Sequence, residues 1–93
     1  MKTEDAEKLS ILLLQVRAKL DESIGFVRER CTAEEHEVYK QGVAKVLGNL
    51  VWYLTDPLWE RYPDVKPEHM GGPYKIDPKI FEPKFYEPDE SNT

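Results

Sequence analysis

All seven prolines of this 93-residue chain lie between Pro57 and Pro88, and residues 1–55 contain none. Proline removes a backbone donor and crowds the helical turn before it, so long helices are confined to the first 55 residues. The charge shifts at the same boundary. Residues 1–55 carry 8 basic and 9 acidic groups, whereas residues 56–93 carry 5 and 9, so the proline-rich part holds most of the net charge of -5. This division predicts two regions, a helical unit over 1–62 and a Pro-rich, acidic, aromatic extension over 63–93.

Within the helical unit, Thr3 is placed to cap a helix whose first turn carries Glu4, Asp5 and Glu7, where carboxylates favour the positive end of the helix dipole. At about 100° per residue, Ala6, Leu9, Leu12, Leu13, Val16, Leu20, Ile24, Val27 and Cys31 fall in an arc of about 120°, which predicts a helix to Arg30 with one buried face. Thr32-Ala-Glu-Glu35 has the spacing of a capping box. A second helix follows, with Tyr39, Val43, Val46, Leu50 and Tyr53 flanked by Leu47, Val51 and Leu54, ending near Thr55. So short a connection makes antiparallel neighbours, hence an αα-hairpin. Asp56-Pro57 reads as the cap and first residue of a short third helix stopped by Pro63.

Beyond Pro63 a proline every four to six residues excludes a long helix and favours extended backbone with at most short strands. The extension repeats a pentad, Ile76-Asp-Pro-Lys-Ile80, Phe81-Glu-Pro-Lys-Phe85 and Tyr86-Glu-Pro-Asp-Glu90, too few copies for a solenoid. Together with the short third helix it carries Trp59, Tyr62, Tyr74, Phe81, Phe85 and Tyr86, six of the ten aromatics in the chain, which is unlike a disordered linker. Such a ribbon is expected to lie on something. Pro67-Glu-His-Met-Gly-Gly-Pro73 is expected to turn it back.

The apolar arcs are wider than one neighbouring helix covers, and Ile11, Leu14 and Ala18 form a further small stripe on the first helix. Extra packing is therefore expected, either from the extension or from a second copy. The reading taken is an all-α hairpin dimerising into a four-helix bundle, with Ile11, Leu14, Ala18, Leu47, Val51 and Leu54 at the seam. Ala44 and Gly48, followed by Trp52, suit a close helix crossing.

Chemistry is sparse. The nucleophile and base inventory is Ser10, Ser23, Ser91, Cys31, His36 and His69, and the only close pair, Cys31 and His36, places its thiol on the apolar arc, where a buried thiol is inert. Glu34, Glu35, His36 and Glu37 are contiguous and so spread around a helix instead of converging on a metal. No phosphate loop, dinucleotide fingerprint or zinc-finger spacing occurs, and no cofactor is expected. Arg17 and Arg28, eleven residues apart on one edge of the first helix, are the candidate anion site of an alternative reading, a small helical-bundle enzyme or ligand-binding protein with its site at the dimer seam.

The net negative charge argues against nucleic acid and anionic membranes as partners. A lone cysteine and an acidic N-terminal stretch suggest a reduced, cytoplasmic protein. The expected function is therefore that of a small cytoplasmic interaction protein of adaptor or inhibitor type. It would have no catalysis of its own and would act as a homodimer on a further protein partner. The candidate contact residues are Trp59, Tyr62, Met70, Tyr74, Phe81, Phe85 and Tyr86, since exposed aromatics and methionines are enriched at interfaces.

Overall fold

The computed structural model describes residues 1–88. Helix α1 spans Thr3–Arg30 and α2 spans Ala33–Leu50, joined by two residues in extended backbone. The helix begins one residue away from the expected cap: Lys2 takes the cap position and Thr3 is already helical. The capping box forms as its spacing predicts, with the Glu35 N–H donating to the Thr32 hydroxyl at 3.1 Å and the Thr32 N–H donating back to the Glu35 carboxylate at 3.1 Å. Cys31 lies outside α1 in extended backbone and is exposed, so the expected buried thiol is corrected: the helical arc ends at Arg30 and does not extend to it.

The second helix does not stop near Thr55. A π-helical turn, Val51–Thr55, leads without a break into α3, Asp56–Arg61, and Leu50, Val51, Thr55 and Asp56 all keep right-handed helical dihedrals. Asp56 is therefore not an N-cap. Pro57 has no N–H and its ring would crowd the carbonyl four residues back, and the wider turn relieves both problems. Within it the Asp56 N–H donates to the Val51 carbonyl, to which the Thr55 hydroxyl also donates at 3.3 Å.

A π turn adds about one residue to the helix and so rotates everything after it by about 100°. In an uninterrupted α-helix Trp59 would fall nearly opposite the face that Val43 and Leu50 turn to α1. With the π turn it faces α1, where it is 4% exposed.

From Tyr62 the chain leaves the helix and runs along α1 in the same direction as α1 itself. Tyr62 meets Met1, Val65 meets Ser10, Ile80 meets Gln15, Pro83 meets Lys19, and Phe85 and Tyr86 meet Glu22. Three 3-10 turns, Pro63–Val65, Glu68–Met70 and Pro78–Phe81, punctuate this path, and the Glu82–Pro83 peptide is cis. Among the described residues there is no strand, only an isolated bridge between Pro67 and Tyr74. The last two residues of the third pentad, Asp89 and Glu90, and Ser91 lie outside the described residues.

The reversal at residues 67–74 is the one the glycines suggested. Gly71 has φ +90°, and the Gly72 N–H donates to the Pro67 carbonyl at 2.9 Å, while Tyr74 N–H donates to the Lys66 carbonyl at 3.0 Å. A Cβ at Gly72 would run into that same Lys66 carbonyl, so only glycine fits.

The core consequently sits where α1, α3 and the extension meet, not along the middle of the hairpin. Ala6, Leu14, Trp59 and Val65 are buried together, flanked by Leu58, Tyr62, Ile76, Ile80 and Phe81. Of the α2 residues only Val43 is buried. Helix α1 is thus the central element, with α2 on one flank and the extension on another.

Candidate functional site

Two surfaces of α1 matter, one covered by the extension and one left open. The covered surface follows Ala6, Ser10, Leu14 and Ala18, a row repeating every four residues that stays on one side of a helix. Ser10 is 1% exposed. Its hydroxyl accepts the Trp59 indole N–H at 2.9 Å and lies 3.4 Å from the Val65 carbonyl, to which it donates.

Further up α1, Gln15, Lys19 and Glu22 reach across to the main chain of the extension. The Gln15 amide donates to the Ile80 carbonyl at 2.8 Å, and the Lys19 ammonium donates to the Pro83 carbonyl at 2.7 Å. The Glu22 carboxylate accepts the consecutive N–H groups of Phe85 and Tyr86. Side-chain contacts complete the strap: Tyr86 packs 3.8 Å from where a Gly25 side chain would begin, and the Phe26 ring lies 5.5 Å from Phe85 and 5.6 Å from Tyr86, the latter edge-on. Arg30 sits 5.0 Å over the other partner of that cluster, Phe26.

The pentad repeat acquires a physical meaning here. Each junction between copies supplies an apolar pair, Ile80-Phe81 and Phe85-Tyr86. The first pair lands near Leu14 and the second near Phe26. Twelve residues of helix span about 18 Å and five extended residues about 16 Å, so one pentad period of the strap matches about three turns of α1.

The open surface is formed by both helices. The hydroxyls of Tyr39 and Ser23 are 2.8 Å apart; Ser23 gives its proton to the Leu20 carbonyl at 2.6 Å, so Tyr39 donates to Ser23. At the other end Leu9 and Leu13 share a groove of about 380 Å³ with Tyr53, Leu54 and Leu58. These two contacts put Leu9, Leu12 and Val16 of α1 on the same side of the hairpin as Tyr39 and Val46 of α2 and Tyr53 of the π turn, roughly opposite the row under the strap. Leu12 is 50% exposed, Val46 53% and Tyr53 68%. These residues were expected to form the closed hairpin core; instead each helix buries only the flank facing the other, and the rest of each wide apolar arc stays open.

The residues expected at a dimer seam divide accordingly. Leu14 is buried and Ala18 is half-buried beside Phe81 of the extension, while Ile11 is half-buried in a groove with Leu9 and Leu12; Leu47 and Val51 are half-buried, and Leu54 is exposed in the open groove. The residues expected to meet a partner protein divide too. Trp59 is in the core, which removes it as a contact residue in the folded chain. Tyr62 is half-buried, receiving a hydrogen bond from the Met1 amine at 2.7 Å. Tyr74 is half-buried, and hydrogen bonding to the Glu7 carboxylate holds its phenol above the usual tyrosine range. Phe81 and Tyr86 are half-buried, while Met70 and Phe85 remain exposed.

Ala44, Gly48 and Trp52 do not form a helix crossing within the chain. All three are exposed, with open space around Gly48. Arg17 is half-buried in a groove of about 150 Å³ with Asp21, His69 and Phe81, and Arg28 is exposed and does not line it. The Asp21 carboxylate beside Arg17 opposes an anion there. Among the described residues no three His, Cys, Asp or Glu side chains converge on a metal position, and no helix is long and apolar enough to cross a membrane.

Compared with protein-family models, with curated proteins and with solved structures, the chain matches none.

Proposed function

We propose that this chain is a small cytoplasmic protein–protein interaction module without catalytic activity, acting as a homodimer that closes into a four-helix bundle. One observation carries the reading: Leu9, Leu12 and Val16 stand exposed beside Tyr39, Val46 and Tyr53 on one face of the hairpin. Soluble monomers rarely leave an apolar patch of this extent uncovered. The surface is also self-complementary. A two-fold axis along the hairpin sets the aliphatic row of α1 against the aromatic row of α2 from the second copy, at the same level and antiparallel, as in four-helix bundles. It also brings Arg30 at the end of α1 toward Glu34 at the start of the second copy's α2, a favourable pairing of charges.

The serine chemistry fits a non-catalytic role, because the Ser10 hydroxyl is committed to Trp59 and Val65 inside the core.

The test is the mass in solution together with a charge placed on the open face. Leu12→Glu or Val46→Glu should yield a folded monomer from a dimeric parent. A parent that is monomeric at every concentration would remove the reading.

A further inference from the structure

A separate inference rests on the end of the strap. Residues up to Phe81 close the core around Leu14, Trp59 and Val65. Residues 82–86 contact Lys19, Glu22, Gly25 and Phe26, none of which belongs to that core. This segment can therefore lift without opening the core. Most of its own side chains face water: Glu82, Pro83, Lys84 and Phe85 are exposed, Phe85 by 56%. What holds it is a lysine on a carbonyl, a carboxylate on two successive amides, and an aromatic cluster over a glycine. Those are groups that grip the backbone of an extended peptide and read aromatic side chains at two positions.

We propose that Lys19, Glu22, Gly25 and Phe26 form a peptide-binding site, occupied in the resting chain by its own residues 82–86. Its partner is an extended segment of another protein bearing two adjacent aromatics two residues after a proline. The Tyr86 ring rests over Gly25, 3.8 Å from where a side chain there would begin; Phe26 supplies the ring that meets both aromatics, and Arg30 lies 5.0 Å from the centre of that ring. The tethered tail acts as a competitor at an effective concentration on the order of millimolar, so the site stays closed to weak ligands and opens to segments that bind it better.

The experiment uses the full chain and a fluorescein-labelled synthetic peptide with the sequence of residues 79–88. In Phe85→Ala/Tyr86→Ala the resident segment loses its aromatic anchors, and the peptide should bind at least about tenfold tighter than it binds the wild type. Adding Phe26→Ala to that variant should abolish binding. Equal affinity for wild type and variant, or no binding to either while helical circular dichroism is unchanged, would overturn the proposal. Amide hydrogen exchange on the wild type provides an independent check. Phe85 and Tyr86 should exchange far faster than the α1 amides near Leu14, and exchange at the same rate as that core would mean that the segment never opens on its own.

Discussion

The Trp59 indole N–H donates to the Ser10 hydroxyl at 2.9 Å, in a site where Trp59 is 4% and Ser10 1% exposed. This bond ties the third helix to the first, and the serine passes it on to the Val65 carbonyl of the extension. Three segments distant in sequence thus share one polar contact inside an apolar cluster. Ser10→Ala should leave the indole N–H and the Val65 carbonyl without a buried partner and cost about 1–3 kcal/mol. Urea denaturation of the two proteins measures it, and a loss too small to detect would mean that water reaches the site.

Two glycines should respond in opposite senses. A side chain at Gly72 meets the Lys66 carbonyl, so Gly72→Ala must distort the 67–74 reversal on which the path of the extension depends. Gly48 lies in α2 with nothing near it, and Gly48→Ala should raise stability by about 0.5–1 kcal/mol through helix propensity alone. Melting temperatures of the pair should move to either side of the wild type. A neutral Gly72→Ala would show that the reversal is not fixed by this contact.

The turn between the long helices should be sensitive to acid. The backbone N–H of Thr32, and then its hydroxyl, hydrogen-bond the Glu35 carboxylate and hold it below the usual glutamate range. A carboxylate with a depressed pKa in the folded chain contributes stability that is present above its unfolded pKa and lost as pH falls through the folded one. Wild type should therefore exceed Glu35→Gln in melting temperature at neutral pH, with the gap closing as pH falls from about 5 toward about 3. A gap independent of pH would assign the effect to packing instead of charge.

The features legible from sequence were those set by local chemistry. Proline distribution located the end of the long-helix region, Thr32 and Glu35 located the inter-helix turn, and Gly71 and Gly72 located the reversal. Pro57 was read by the same local logic as the first turn of a short third helix before Pro63, which forms, but the expected break and Asp56 cap before it do not. Tertiary burial of Trp59 favours keeping the helix whole and absorbing the proline in a π turn, and no local propensity encodes that. The Ile11, Leu14 and Ala18 stripe was recognised as needing cover from the extension or a second copy, and the extension supplies it for Leu14 and Ala18. Gln15, Lys19 and Glu22 were invisible as a set, because polar residues on a long helix look the same whether they face water or hold a strap. The open face was legible only as excess: the apolar arcs were wider than a two-helix contact needs, and the structure identifies which residues make up the surplus.

The account stands most directly on the open face of Leu9, Leu12, Val16, Tyr39, Val46 and Tyr53. The deciding measurement is light scattering across a wide range of concentration on the wild type and on Leu12→Glu and Val46→Glu, with circular dichroism confirming that each is folded. The account predicts a wild-type mass of twice the 10.9 kDa chain and variants at the single-chain mass with unchanged helicity. A wild type that stays at the single-chain mass throughout, or a dimer that persists in both variants, would contradict it.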